Sequence, residues 1–264
     1  MNSSTLAKFY DLPIDQTDDA LRNIDKKSVS FLCASGKLGS GKDTVAPKVI
    51  DRLGFSSELA DHNFFAKPLK DEINDVISII RNSEVWQDAV NNISLQLRAS
   101  KVGSETAVDS LWKEVKSGAV KSSYDRTDST RFTLQFWGTE VRRAEDVNYW
   151  VKRSVAPAIQ ELSNNKSVFF TDARFPNEID AINALNGLSI RLLVSPEVQS
   201  QRIMARDGVT ISEATRNHAS EIALDDYKNF TSIVDTDFLT PDGVVEEALK
   251  DILRKTSYTL KDRL

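Results

Sequence analysis

The chain has 264 residues, 40% apolar and 28% charged, values that are ordinary for a globular protein and exclude a disordered one. Its 34 basic and 39 acidic residues give a net charge of −5, which argues against binding to nucleic-acid polymers because they require a positive surface. Cys33 is the single cysteine, so an internal disulfide is excluded and we expect a reduced, cytoplasmic setting. No run reaches the roughly 18 apolar residues of a membrane helix, so no membrane association is expected.

The first predicted elements form a strand, a loop and a helix. Residues 1–28 are polar and are interpreted as an N-terminal extension. Residues 29–35 are an apolar run of strand length, and the glycine-rich segment 36–42 follows at once. Beyond it, apolar residues recur on one face of a helix. The remaining chain, 29–264, is predicted to be one domain.

The spacing of apolar residues also predicts the later helices and strands. Residues 82–128 are polar but keep a helical spacing of apolar residues, which predicts a helical insertion and not a separate domain. Residues 131–153 are predicted to be helical. The other predicted elements are strands at 58–63, 167–171, 188–194 and 231–234, and helices at 68–81, 177–186, from 196, and at 244–253.

Strands that alternate with helices predict an α/β fold with a parallel sheet covered on both faces. The loop after the first strand has the pattern of a phosphate-binding loop, Gly36-x-x-x-x-Gly41-Lys42. Backbone N–H groups of such a loop turn onto a phosphate chain, the helix N-terminus adds a favourable dipole, and Lys42 supplies positive charge for the β- and γ-phosphates. The predicted nucleotide-binding residues are Gly36, Lys37, Gly39, Ser40, Gly41, Lys42, Asp43 and Thr44.

The residue after the loop lysine departs from the usual pattern. Where a serine or threonine normally ligates Mg²⁺, the chain has Asp43, with Thr44 next. Three roles stay open: Asp43 reaches the metal through a water, Thr44 binds it, or Asp43 only favours the helix N-terminus electrostatically. The predicted metal-related residues are Asp43, Thr44 and, after a later strand, Asp172.

Two classes of P-loop protein are disfavoured. Residues 165–168 lack the aspartate of the GTPase base-recognition segment, and Ala173 follows Asp172 where motor and AAA-type ATPases usually have glutamate. A kinase that acts on a phosphorylated acceptor needs no general base, because a phosphate with its second pKa near 6 is largely dianionic at neutral pH. It needs arginines and a metal to bring two anions together. The arginines in suitable places are Arg131, Arg142, Arg143, Arg174, Arg202 and Arg206.

Several short motifs occur in a fixed order along the chain. They are GKLGSGKDTVA at 36–46, FAKPLK at 65–70, LQFWGTE at 134–140 with Arg131 before it and Arg142 after it, YWV at 149–151, TDARFPNE at 171–178 and HASE at 218–221. Together they resemble the motifs of the deoxynucleoside monophosphate kinases encoded by tailed bacteriophages. The resemblance covers about residues 29–253 and leaves out most of 82–128.

This resemblance implies a three-layer nucleoside monophosphate kinase fold with a five-stranded parallel sheet, an acceptor-binding region and a lid at 196–222. ATP, with Mg²⁺, would give its γ-phosphoryl group to a deoxynucleoside monophosphate. Lys42, Arg174, Arg202 and Arg206 would be the catalytic residues, the last two acting from the lid. His218 and Glu221 would orient the acceptor region. The implied substrate-binding residues are Lys70, Arg131, Gln135, Trp137, Gly138, Thr139, Arg142, Trp150, Asp172, Arg174 and Glu221.

Two alternatives stay open. The animal-type phosphomevalonate kinase is similar in its Lys-Asp loop, its Asp-x-Arg motif and its arginine-containing lid. The second alternative is a regulatory or scaffold protein that binds a nucleotide without turnover. Aromatic residues able to stack on a base favour the nucleotide acceptor, although we expect at least two of them in the core. These aromatic residues are Phe136, Trp137, Tyr149 and Trp150.

The expected partners are small nucleotides. The oligomeric state is open, and a homodimer is one possibility. A phage-encoded protein would act in the host cytoplasm.

Overall fold

The computed structural model describes residues 31–53, 60–163, 167–208 and 210–255, so the predicted extension at 1–28 lies outside the described residues. The chain divides into two compact units. The first, the sheet unit, comprises Met1–Phe65 and Ser154–Leu264, and the second, the helical unit, comprises Ala66–Arg153. In the described ranges, no helix has the length and apolar character needed to cross a membrane.

The sheet unit is built on parallel strands, as the alternation of strands and helices predicts. Their order across the sheet is β2-β3-β1-β4-β5, and every neighbouring pair is parallel. The second strand is a short edge strand that pairs along the third. The strands are β1 (Phe31–Gly36), β2 (Ala60–Asn63), β3 (Ser167–Ala173), β4 (Leu188–Leu193) and β5 (Ser232–Asp235).

The helices lie close to the predicted positions, with one exception. Residues 131–153 are not one helix: a π-helix, Trp137–Arg143, follows the first segment, and a turn separates it from the next α-helix. The helices are α1 (Lys42–Arg52), α2 (Ala66–Asn82), α3 (Trp86–Gln96), α4 (Lys101–Lys116), α5 (Asp128–Phe136), α6 (Tyr149–Ser163), α7 (Pro176–Ala184), α8 (Pro196–Asp207), α9 (Glu213–Arg216), α10 (Ala219–Ile222) and α11 (Pro241–Lys255).

Helices cover both faces of the sheet. On one face, Leu32 of β1 and Ile190 of β4 join a buried cluster with apolar residues of α1 and α11. Phe31 points to the opposite face because side chains alternate along a strand, and there Gly187 lies against both Phe31 and Ile182 of α7. The strands β1 and β3 are neighbours, and the helices that follow them, α1 and α7, thus lie on opposite faces of the sheet. In open α/β sheets, ligands bind beyond the carboxyl ends of strands at such a point.

The helical unit has its own apolar core. In α2, Ile73, Val76, Ile77 and Ile80 follow the spacing of one helical face, and all four are buried. They pack with apolar residues of α3 and α4, the two helices predicted for the insertion. A serine and a threonine cap the starts of the later helices: the side chains of Ser100 and Thr127 accept backbone N–H groups of α4 and α5.

Candidate phosphate-binding site

The loop between β1 and α1 depends on its glycines. Gly39 and Gly41 have φ angles of +78° and +87°, in the left-handed region that residues with a Cβ rarely adopt. A Cβ at Gly36 would lie 2.2 Å from Oγ of Ser40, so that position is closed to any larger residue unless the loop shifts. The predicted order of strand, glycine loop and helix is confirmed, and the pattern of glycines follows from the backbone.

Polar groups are buried in this loop. The side chain of Lys42 is 8% exposed, and in the described part of the chain Oγ of Ser40 is buried without a hydrogen-bond partner. Burial, with the Arg174 guanidinium as a second cause, lowers the pKa of Lys42 to about 8. Buried polar groups are costly until they are hydrogen-bonded, and the N-terminus of a helix attracts anions. Phosphate oxygens would satisfy both groups.

The residues after the lysine suit a metal ion that arrives with the nucleotide. Asp43 and Thr44 are exposed in the first turn of α1, and Nζ of Lys42 lies 3.9 Å from the Asp43 carboxylate. Within the described ranges, no three His, Cys, Asp or Glu side chains converge as a metal site. Mg²⁺ in phosphoryl-transfer enzymes keeps several waters and takes one or two carboxylates together with substrate phosphates. The residues present therefore fit that mode of binding.

Arg174 is held beside the loop by two glutamates. Its backbone N–H donates to Oε2 of Glu178 at 2.7 Å, and its Nη1 donates to Oε1 of Glu221 at 2.7 Å. The same Nη1 lies 3.4 Å from the carbonyl oxygen of Gly36. Asp172, two residues earlier, accepts the backbone N–H of Phe65 at 2.8 Å. The Thr171–Glu178 motif therefore places Asp172 near the end of β3 and Arg174 just beyond it, beside β1.

A buried arginine that no sequence motif singled out lies beneath the loop. Arg191 of β4 is 4% exposed, and its Nη1 donates to Oγ of Ser35 at 2.9 Å. Its Nη2 lies 3.4 Å from Asp225, which also binds Nζ of Lys37 at 2.7 Å. Ser35 in turn donates to the carbonyl oxygen of Ala173 at 2.7 Å, which connects β1 to the end of β3. One signal was present in the sequence: a charged residue inside the mostly apolar run 188–194.

The two arginines predicted for the lid have different surroundings. Arg202 of α8 donates to both the carbonyl and the hydroxyl oxygen of Thr236, at 2.6 and 2.9 Å, and to the Gly39 carbonyl at 3.3 Å. Arg206, one turn later, is exposed and pairs with its neighbour Asp207. Arg202 thus connects α8 to the loop and to the end of β5, while Arg206 lies on the surface.

In the helical unit, the side chains of three predicted substrate-binding residues are buried. Trp137, Arg142 and Trp150 are 0%, 3% and 4% exposed. Nε1 of Trp137 and Nε of Arg142 both donate to Oε2 of Glu72 at 2.8 Å, and the Tyr149 hydroxyl donates to Oε1 of the same residue. We correct their assignment: an arginine whose charge is compensated in the core is not free to clamp a phosphate, and these tryptophans are not free to stack on a base.

The π-helix explains why two of these donors, Trp137 and Arg142, meet at Glu72. Trp137 and Arg142 are five residues apart, a spacing that an α-helix places on different sides. In a π-helix the hydrogen bonds run between residues five apart, so the wider turn brings both side chains to one side. Nε1 of Trp150 donates to the Gly138 carbonyl at 2.9 Å, and a Cβ at Gly138 would lie 3.1 Å from Leu69. This glycine therefore serves close packing.

Other predicted acceptor residues remain accessible on the helical unit. Arg131 is exposed, while Gln135 and Thr139 are half-buried. Lys70 is also half-buried, with its Nζ 4.5 Å from the centre of the Tyr124 ring. The motif at 134–140 thus divides into a buried part that shapes the unit and an outer part able to meet a ligand.

Similarity to known proteins is found at low sequence identity. No model of a protein family matches the chain. An uncharacterised protein, ORF77, of Ictalurid herpesvirus 1 (strain Auburn) is 29% identical over 96 residues, which are 36% of this chain and 37% of that protein. The match thus spans little more than a third of that relative's length.

Two solved structures are similar over most of the chain. TT1252 from Thermus thermophilus is 18% identical, with a TM-score of 0.43, and the match covers 87% of this chain and 98% of that one. A dephospho-CoA kinase from Campylobacter jejuni is 16% identical, with a TM-score of 0.38, covering 86% and 98%. The case for phosphate binding therefore rests on the geometry of the loop.

Proposed function

We propose that this protein is a phosphotransferase that uses ATP and Mg²⁺ to phosphorylate a deoxynucleoside monophosphate, giving the diphosphate and ADP. The observation that carries the proposal is the glycine loop at the start of α1, with Lys42 buried at its end and Arg174 held beside it. On this proposal the fold is that of a nucleoside monophosphate kinase with a five-stranded sheet. Its partners are small nucleotides and not nucleic-acid polymers.

The proposed reaction needs charge compensation more than proton transfer. An acceptor phosphate is largely dianionic at neutral pH, so the obstacle is the repulsion between it and the phosphates of ATP. Lys42 and the N-terminus of α1 would bind the donor phosphates, and Arg174 would bind between donor and acceptor. Asp43 or Thr44 would contact the Mg²⁺ that neutralises the donor. On the helical unit, Arg131 is the exposed arginine of the predicted acceptor set.

A screen of acceptors tests this proposal. We expect ADP to form only when Mg²⁺ and one of dAMP, dGMP, dTMP or dCMP are present, measured with a coupled assay. Mevalonate 5-phosphate is the control acceptor, because the phosphomevalonate kinases have a similar loop. Turnover with that ester alone would contradict a nucleotide acceptor, and ATP binding without transfer to any acceptor would indicate a regulatory protein.

The surface position of Arg206 gives a second prediction. If Arg206 stabilises the transferring phosphoryl group from a closing lid, Arg206→Ala should lower kcat by about 100-fold, the usual cost of losing one such donor. The melting temperature should stay unchanged, because the present partner of Arg206 is its exposed neighbour Asp207. Turnover assays and thermal denaturation measure the two effects.

Arg202→Ala is the matched comparison on the same helix. Because Arg202 bonds Thr236 and the Gly39 carbonyl, this variant should melt at a lower temperature and bind ATP more weakly. An unchanged kcat in Arg206→Ala would exclude Arg206 from the reaction. A raised KM for the acceptor without a change in kcat would indicate that Arg206 contributes to acceptor binding.

A further inference from the structure

Glu221 binds two donors that belong to the candidate phosphate-binding site. Its Oε2 accepts the backbone N–H of Leu38, inside the loop, at 3.1 Å, and its Oε1 accepts Nη1 of Arg174 at 2.7 Å. The Glu221 side chain is only 10% exposed, so water screens this pairing little. Backbone N–H groups and guanidinium groups are also the usual donors to phosphate oxygens, which makes a carboxylate and a phosphate competitors for them.

We infer that Glu221 is an internal counter-anion of the phosphate-binding site. Its carboxylate holds Arg174 and the Leu38 N–H in place, and the phosphates of a bound nucleotide compete with it for both donors. Glu221 is thus a positioning residue that acts through Arg174, and not a residue that contacts the substrate. This inference rests on the proposed function, since it requires that the loop binds phosphates.

Neighbouring carboxylates are bound differently. Glu178 accepts the backbone N–H groups of Arg174 and Phe175 and so anchors the start of α7. Asp225 pairs with Lys37 and Arg191. Glu221 contacts both the backbone of the loop and the side chain of Arg174, which are the groups that a phosphate between donor and acceptor would use.

The chain around Glu221 is suited to releasing its carboxylate. Glu221 lies on α10, a four-residue helix with no buried residue, and the preceding α9 is equally short and equally unburied. His218 starts α10, with its Nδ1 accepting the backbone N–H of Ser220 at 3.2 Å. Withdrawal of the carboxylate from the loop would therefore expose little apolar surface. A dianionic phosphate, with twice the charge of a carboxylate, is equipped to displace it.

Glu221→Gln tests the competition with inorganic tripolyphosphate as the probe. Glutamine has the same shape and still accepts the Leu38 N–H, but it has no charge to offer Arg174. Calorimetry should show tripolyphosphate binding about ten-fold more tightly to this variant, since a net charge-assisted hydrogen bond is worth about that factor. Glu213→Gln is the control, because it removes the same charge from exposed α9.

Each outcome decides the inference. Tighter binding in Glu221→Gln but not in Glu213→Gln supports it, and the gain should vanish when Arg174→Gln is added. Unchanged or weaker binding in Glu221→Gln would make Glu221 a purely structural residue, and equal gains in both variants would indicate a general charge effect; either result overturns the inference.

A second variant covers the case in which Glu221→Gln does not fold. Glu221→Asp keeps the charge but shortens the side chain, so it should lose its hold on the two donors and also bind tripolyphosphate more tightly; unchanged or weaker binding overturns the inference. A wild type that binds tripolyphosphate yet transfers no phosphoryl group would refute the proposed function while leaving the comparison of variants valid. A wild type that does not bind tripolyphosphate would overturn the inference itself.

Discussion

Replacing Lys42 with alanine should lower the rate of phosphoryl transfer by about three orders of magnitude, because transition-state cations in phosphoryl transfer are worth that much or more. The fold should survive the change. Burial holds the pKa of Lys42 near 8, below its ordinary value of 10.5, which means that the folded protein disfavours the charged ammonium. At neutral pH its removal relieves that cost, so the melting temperature should not fall. Steady-state kinetics and thermal denaturation measure both effects.

The pH dependence of ATP binding gives the same residue a second signature. Phosphates favour the charged form of Lys42, so ATP affinity in the wild type should fall as the pH rises above about 8, where the free protein loses this proton. In Lys42→Ala that decline should be absent. Lys48→Ala is the control on the same helix, since Lys48 pairs on the surface with Asp242. A Lys42→Ala variant with the kcat of the wild type would show that the loop takes no part in the reaction.

The candidate phosphate-binding loop was predictable because its determinants are local. A strand of apolar residues, glycines where the backbone takes positive φ angles, and a helix with one apolar face all follow each other within residues 31–52. Each feature has its own periodicity or residue type, and chain connectivity alone brings them together. The parallel sheet was predictable for a similar reason, since strands that alternate with helices leave few other arrangements.

The surroundings of individual arginines were not predictable in this way. Arg142 looks in the sequence like other arginines near the motif at 134–140, but its partner Glu72 lies 70 residues earlier. Glu221 and Leu38 are 183 residues apart. No periodicity links such pairs, because they meet only after the elements have packed. A sequence motif therefore located the arginines, while the structure decided which of them are available to a ligand.

Removing the carboxylate of Glu72 should destabilise the helical unit strongly. Arg142 is buried, and Glu72 is the carboxylate that receives its Nε at 2.8 Å together with Nε1 of Trp137. Breaking a buried ion pair by deleting one partner costs about 3–5 kcal/mol, because the other charge stays in the core. Burial and the Glu72 carboxylate also raise the pKa of Tyr149 to about 12, which reflects the same close contact. Chemical denaturation of Glu72→Ala should show this loss.

Two comparisons separate a structural role of Arg142 from a role in acceptor binding. Glu145→Ala removes a carboxylate that lies 3.4 Å from Arg142, and should cost at most about 1 kcal/mol, because Glu145 is itself solvent-exposed and Arg142 keeps its ion pair with Glu72. The paired variant Glu72→Leu with Arg142→Met removes both charges at once, and should recover much of the stability lost in Glu72→Ala because no unpaired charge remains. It should also keep the wild-type KM for the acceptor. A stable Arg142→Met variant with a strongly raised KM would instead assign Arg142 to the acceptor phosphate, against its position in the core.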